Sequence, residues 1–515
     1  MNGVLKVSDQ LTGQAKNISI IGSGLAGLAA SIRLAAQGHR VTVFEANSEA
    51  GGKMYEWRKD GFRFDMGPSV FTMPQYVEDL FHLTGRNPKD YIEILRPELP
   101  FNYFFEDGLC LNFYADTERL VREMATKTND DEATIRRYLA DIALKYDLTE
   151  EVFLKNSLHS LSTYLTRDAF RGVVNFHKVE VFHSMDEANR RNFRDDRTRR
   201  LFNAFASYLG SSPYKAPGVL NVISHFQLNA GIYLPVGGMY AIVKALTKLA
   251  GELGVEIHYN SPVERILTQN GKATGLVVNS QERYSDLVVS NLDAYNTYHH
   301  LMPQEKAPRV FLDRQKSHSA LVFHWGMKKQ FPQLAFHNMV LSEDMRDEYN
   351  TVFNNADIGD DITIYLYISS KIHQPDAPAG CENWYILINA PYLQGQDWQA
   401  ITERTRHNII RRMSKVLGEN IEPHIAFERV QNPHHFEQRT GAAFGSIYGN
   451  SYNGTFSVFL RHPNFSHRIK NLFFCGGTVH PGAGVPLSFL SAKIVSDMVS
   501  KKTGSRKGSD AELPV

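Results

Sequence analysis

The stretch Ile20-Ile21-Gly22-Ser23-Gly24-Leu25-Ala26-Gly27 constrains this chain more than any other. A β-rich run, Ile18–Ile21, leads into glycines spaced as GxGxxG, and Leu28–Gln37 then has helical composition and stops at Gly38. A second strand, Val41–Phe44, ends in Glu45, 18 residues after Gly27. Strand, tight turn, helix, strand and acid, in that order, open a βαβ unit shaped for a dinucleotide. Gly22 permits the turn, Gly24 lets the backbone approach a pyrophosphate, and Gly27 lets helix and strand close up. The helix start, with Ser23, Leu25 and Ala26, offers free N–H groups and the positive dipole end to phosphates. Glu45, followed by Ala46, stands where a ribose-binding acid belongs. A glycine-rich turn beside a surface Glu is the plainer alternative, and the coincidence of all four features outweighs it.

FAD and NAD both use such a unit, and two further features favour FAD. Gly51-Gly52-Lys53 follows Glu45 by six residues, and Gly476-Gly477-Thr478 precedes an apolar helix, Leu487–Val499. The first lets backbone approach the same phosphates, the second offers another helix dipole to the flavin side, and NAD requires neither. α/β pieces recur in the middle of the chain, with helix Met239–Leu253 and strands Val255–Tyr259, Val263–Leu267 and Ala273–Asn279, and again at strand Leu472–Cys475. The expected class is therefore α/β, with a Rossmann-like FAD-binding domain built from the discontinuous segments 17–95, 231–305 and 466–502. An α+β substrate domain would take 96–115 and 306–465, where runs such as Ile362–Ile368 and Trp384–Ala390 are β-rich. A helical insertion, a candidate membrane-facing lid, would span 116–230, and 503–515 would form a disordered tail.

Composition excludes several classes. Lys and Arg exceed Asp and Glu by 56 − 55 = +1, so no field gathers nucleic acid. The three cysteines, Cys110, Cys381 and Cys475, form no CxxC pair and suit a reducing cytoplasm. Neither GxSxG nor a Walker A motif is present, and the pairs His299-His300 and His434-His435 lack ligand spacing, so no metal is expected. Ile18–Ala36 is nearly apolar, but Arg33 and the GSGLAG turn argue against a membrane span, and the first residues lack the apolar core of a signal peptide.

Several pieces, in order along the chain, resemble bacterial carotenoid desaturases of the phytoene desaturase group, within the amine-oxidase-like flavoprotein superfamily. They are 20–53 and 61–72 (GFRFDMGPSVFT), then 233–246 (YLPVGGMYAIVKAL), SPVERI at 261–266, VVSNLD at 288–293 and 471–493 (NLFFCGGTVHPGAGVPLSFLSAK). LNAGIYLPVGGMYAI and GAGVPLSFLSAK are more similar to the carotenoid 3,4-desaturase branch. The resemblance implies an FAD enzyme that introduces a C=C bond into an acyclic carotenoid end. A phytoene-type desaturase, a carotenoid isomerase, an amine or porphyrinogen oxidase and a non-enzymatic prenyl-lipid binder of the same fold are the alternatives. It also implies roles: Gly22, Gly24 and Gly27 at the pyrophosphate, Glu45 on the ribose, and Gly52 and Lys53 near phosphate. Val263 would pack on adenine, Gly67, Pro68 and Ser69 would lie near the isoalloxazine, and Gly476, Gly477, Val485, Pro486 and Leu487 would meet the flavin's pyrimidine edge. Oxygen or a quinone would accept the electrons.

His480, inside GTVHPGAG, reads either as a catalytic proton relay near the flavin or as a turn histidine bonded to backbone. Residues 186–200, with six Arg and four acids, read as an interfacial basic helix or as a salt-bridged surface. Phe170–Phe182, rich in Phe and Val among cations, reads by default as a core helix; a lipid-dissolved substrate makes a contact for peripheral association with the inner membrane the alternative.

Overall fold

Alternation is missing from the strand Asn17–Ile21, where Ile18, Ser19, Ile20 and Ile21 are all buried. That is the mark of a parallel strand covered on both faces. The computed structural model describes residues 14–160, 163–164 and 180–505. In it this strand lies at the centre of a five-stranded parallel sheet, in the order Leu472–Phe474, Leu287–Ser290, Asn17–Ile21, Arg40–Phe44 and Glu256–His258. The register sets Ile20 opposite Val43 and Val289. Successive residues serve different cores. Ile18 and Ile20 pack with the helices Leu25–Ala36, Tyr240–Glu252 and Val485–Thr503. Ile21, Phe44 and Phe474 pack with Ile266 and Leu276 of a three-stranded antiparallel sheet on the other face. Small residues such as Gly27, Ala29 and Ala30 are buried along Leu25–Ala36, which packs on Val485–Thr503.

A second, seven-stranded sheet runs in the order Ile425–Gln431, Ser319–Met327, Glu382–Ala390, Ile364–Tyr367, His337–Val340, Phe101–Phe104 and Cys110–Phe113. It is antiparallel except where His337–Val340 meets Phe101–Phe104. Ser319–Met327 is buried throughout. Its Leu321, Phe323 and Trp325 pack against the helix Trp398–Leu417, whereas Ala320 and Val322 share a core with the helices between 117 and 204. Those helices start on side-chain caps: Asp116, Asp131, Ser184 (a capping box with Glu187) and Asp195. In the arginine-rich stretch, Arg190, Arg197, Arg199 and Arg200 pair with Asp186, Asp195 and Asp196. That is the salt-bridged surface.

A buried cluster ties the hairpin of Glu56–Lys59 and Phe62–Asp65 to the seven-stranded sheet and to the start of the helix Tyr240–Glu252. Arg63 donates to Asp65 at 2.8 Å and to Asp376 at 2.7 Å. Asp65 also accepts from the Met239 backbone N–H at 3.0 Å and from the Tyr367 hydroxyl at 2.8 Å. One guanidinium thus serves two buried carboxylates, and hydrogen bonds from Met239 and Tyr367 to Asp65 and from Ser369 to Asp376 satisfy further oxygen lone pairs.

Candidate functional site

A cavity of about 610 Å³ opens at the carboxyl ends of the parallel strands, where open α/β sheets bind ligands, and runs on to the face of the second sheet. Of the residues expected at the cofactor, all but Ser23 and Gly27 line it.

The glycine turn owes its shape to close approaches. Gly22 has φ +86°, which favours glycine. A Cβ on Gly27 would come within 2.1 Å of the Gly22 carbonyl oxygen, and one on Gly24 within 2.8 Å of Asn291 Nδ2. The 51–52 loop lies directly alongside: the Gly51 N–H donates to the Ser23 carbonyl at 2.9 Å, and a Cβ on Gly52 would stand 3.3 Å from Gly24 Cα. Gly67 closes on the same loop, since its Cβ would overlap the Lys53 carbonyl at 1.9 Å. The helix Leu25–Ala36 begins here with no side-chain cap and no acid in its first turn. Val485–Thr503 begins on the cavity wall in the same way. Two helix starts therefore leave backbone donors and positive dipole for an anionic ligand. A dinucleotide fits this cradle.

Glu45 is 4% exposed and fully engaged. One carboxylate oxygen accepts from the Ser23 N–H (2.8 Å) and Oγ (2.7 Å), and the other from the Asn47 N–H (2.9 Å) and Nδ2 (2.7 Å). Lys53 donates to the Ile447 carbonyl at 2.7 Å, and burial lowers its pKa to about 8. Val263 lines the cavity beside Pro262.

His480 is not among the lining residues. Its Nε2 donates to the Asn156 carbonyl at 2.9 Å, and burial lowers its pKa to about 3. Its own carbonyl accepts from Asn464 Nδ2 (2.7 Å) and Ser491 Oγ (3.0 Å). This geometry supports the backbone-bonded histidine of the two readings.

Asn291 is the residue most missed by sequence. Its Nδ2 faces Gly22, Gly24 and Gly27, while its Oδ1 accepts from Cys475 Sγ at 3.9 Å and lies beside Gly476. It braces the first glycine turn against the last. A polar residue ending the buried run VVS was the available signal. Arg439 was missed too: it lies over the Tyr55 ring at 3.6 Å, pairs with Glu49 at 2.7 Å, and lends its carbonyl to Asn47.

Beyond the cradle the walls turn aromatic and aliphatic, with Phe205, Ile223, Phe226, Met339, Leu387 and Phe436. Tyr208, Tyr365 and Tyr385 join them, and burial raises all three phenols, which keeps them neutral. Tyr365 shares its hydroxyl with Ser69 and His337 Nδ1, both at 2.8 Å, and Tyr208 donates to Gln227 at 3.1 Å. Among the described lining residues the only acids are Glu45 and Asp293. Asp293 accepts from the Tyr295 N–H at 2.8 Å and the Ala443 N–H at 3.3 Å.

Residues 25–500 match the family model for flavin containing amine oxidoreductases. The chain is 38% identical to a 1-hydroxycarotenoid 3,4-desaturase of Flavobacterium sp. (strain P99-3), over 94% of this chain and 99% of the relative. It is 34% identical to a 4,4'-diapolycopene oxygenase of Methylomonas sp, over 94% and 98%. Among solved structures, a triple mutant of putrescine oxidase superposes with a TM-score of 0.63 over 95% of this chain and 99% of that one, at 13% identity. That likeness shows the fold alone.

Proposed function

Because the chain belongs to the flavin-containing amine oxidoreductases and FAD is its cofactor, we propose that it is a carotenoid desaturase that forms a 3,4 double bond in an acyclic carotenoid end. The observation that carries this reading is one cavity joining a dinucleotide cradle to an apolar, aromatic chamber. Bound FAD supplies a two-electron acceptor for a hydride leaving an allylic carbon. The chain itself holds the pyrophosphate on the 22–27 and 51–52 turns and the first turn of Leu25–Ala36. Glu45 is assigned to the ribose, which reaches it by sharing or displacing the Asn47 amide. Gly67, Pro68 and Ser69 on one side, and Gly477, Val485, Pro486 and Leu487 on the other, frame the reacting end. Phe205, Phe226, Phe436 and the neutral tyrosines exclude water and align the polyene. No strong base is required, because the conjugated chain spreads positive charge and its proton is readily lost. His480 is assigned a structural role. The segments 17–95, 231–305 and 466–502 are proposed as the FAD domain, with 96–115 and 306–465 as the substrate domain.

The 1-hydroxycarotenoid in the name of the Flavobacterium relative makes an oxygenated acyclic end the first substrate to test. The chain is co-expressed with different carotenoid backgrounds, and products are identified by mass and absorption spectrum. The expected result is yellow protein and a product two hydrogens lighter with a red-shifted spectrum. An isomer of unchanged mass would indicate an isomerase, and colourless, inactive protein a lipid binder. Oxygen consumption during turnover separates oxygen from a quinone as electron acceptor.

A carotenoid cannot cross water, so peripheral contact with the inner membrane is part of the proposal. Among the described residues no helix is long and apolar enough to cross a membrane. Phe182 and Phe456 are 69% and 58% exposed, which supports a lipid-facing role. Most of the candidate stretch Phe170–Phe182, including Phe176, lies outside the described residues. Purified enzyme is expected to pellet with liposomes. Two exposed Phe contribute about 3–6 kcal/mol when buried in lipid, so Phe182→Ser with Phe456→Ser should release the protein while FAD stays bound. Equal pelleting of this variant and the parent would place the contact elsewhere.

A further inference from the structure

Most polar groups on the chamber walls satisfy one another, but an acceptor and a donor at one end do not. Asn389 is 5% exposed and lines the cavity from the strand Glu382–Ala390. Its Nδ2 donates to Ser207 Oγ at 3.2 Å and to the Glu348 carboxyl at 3.4 Å, which sets the orientation of the amide. Its Oδ1 accepts from no described residue and keeps surface open to the cavity. Tyr448 is half-buried and lines the same cavity. Its hydroxyl has no partner among the described residues and is likewise open to the cavity. Burial pushes its pKa up to about 12, so the phenol is a neutral donor. By contrast, Ser69 pairs with Tyr365, Tyr208 with Gln227, and Thr363 with Glu348.

The two groups share one end of the chamber, beside the cradle. The Tyr448 ring meets the His318 ring edge-on with centroids 5.8 Å apart, and Ala320, on the strand that His318 leads into, pairs with Asn389. The residues flanking Tyr448 reach the cofactor side. The Ile447 carbonyl accepts from Lys53 at 2.7 Å, and a Cβ on Gly449 would stand 3.0 Å from the Thr478 side chain. Tyr385 lies on the same face of its strand as Asn389 and brings a second open phenol, whose ionisation burial and then the nearby Tyr448 oppose. A hydrocarbon end group would cover the Asn389 acceptor and the Tyr448 donor and leave both unpaired. A hydroxyl serves both at once, because its O–H donates and its oxygen accepts. An ether accepts without donating and leaves Oδ1 unmatched.

We propose that Asn389 Oδ1 accepts a hydrogen bond from a hydroxyl on the carotenoid's reacting end while the Tyr448 phenol donates to that hydroxyl's oxygen, which makes the two specificity-determining residues that select an alcohol over a hydrocarbon or an ether. This rests on the desaturase reading above. It adds the atoms that recognise the substrate.

The test uses FAD-loaded enzyme and three acyclic carotenoids that differ only at the end: a tertiary hydroxyl, its methyl ether and the hydrocarbon. Wild type is expected to favour the alcohol over the hydrocarbon in kcat/KM by about ten- to a hundredfold, since matched hydrogen bonds replace an unpaired acceptor and donor. The ether should fare no better than the hydrocarbon by more than about threefold. In Asn389→Leu the preference for the alcohol should fall to within about twofold, by loss on the alcohol. Tyr448→Phe removes only the phenol oxygen and should cut the preference by about three- to tenfold, with FAD still bound. Should Asn389→Leu fail to fold, because Ser207 and Glu348 lose its amide, wild type and Tyr448→Phe carry the comparison. Equal kcat/KM of wild type on alcohol and hydrocarbon, or the parental preference in both variants, would overturn the assignment and leave the desaturase reading standing. An ether used as well as the alcohol would overturn the role of Oδ1. If yellow wild-type protein desaturates none of the three, the desaturase reading itself fails.

Discussion

A Gly24→Val variant is expected to emerge from purification without flavin absorbance. The backbone is not the obstacle, because Gly24 sits at φ −64°, which any residue adopts. Space is. A Cβ there lies 2.8 Å from Asn291 Nδ2, and a Cβ on Gly52 would stand 3.3 Å from Gly24 Cα, so the two loops leave a slot one backbone wide. Valine's branched carbon would fill the volume that a pyrophosphate must enter and would push Asn291 off the turn. Circular dichroism separates loss of cofactor from loss of fold. A yellow, active Gly24→Val enzyme would put the phosphate site elsewhere.

The second large effect belongs to Glu45→Ala. The substitution removes the acceptor for four hydrogen bonds and strands the buried Ser23 backbone N–H, while the Asn47 N–H is only half-buried. One unsatisfied buried donor costs about 1–3 kcal/mol, and loss of the ribose contact adds at least a tenfold drop in FAD affinity. The melting temperature of the apoprotein reads the first effect, and titration with FAD reads the second. Full flavin retention would refute the ribose assignment. A lowered melting temperature with unchanged affinity would leave Glu45 as a clamp on the turn alone.

How much of this could be foreseen depends on sequence distance. The GxGxxG turn was legible because its logic is local: strand, turn and helix fall within 20 residues, and the observed helix Leu25–Ala36 begins only three residues before the expected one. The strands at 263, 272, 382 and 472 lie within two residues of their expected starts, since β-rich runs there are bounded by turn residues. The state of Glu45 was half legible. Asn47 is two residues away, but nothing in composition says that its amide folds back on the carboxylate. Asn291 was not legible, because it meets Gly22 across 269 positions. His480 shows the converse: its motif points to the flavin, while its ring is held by the Asn156 carbonyl, 324 positions away in sequence.

The parallel sheet has a bearing on how this protein is made. Its first strand is synthesised at residue 17 and its edge strand at 472–474, paired through 287–290. During translation the strands 17–21 and 40–44 have each other early but wait for their outer neighbours 287–290 and 256–258, and 287–290 waits for 472–474 until nearly the whole chain has left the ribosome. Such late, non-local pairing is slow and exposes adhesive edges, so overproduction is expected to depend on chaperone supply and to improve at reduced temperature. A ribosome stalled before residue 472 would release a product that lacks both the edge strand and the second helix start on the cavity.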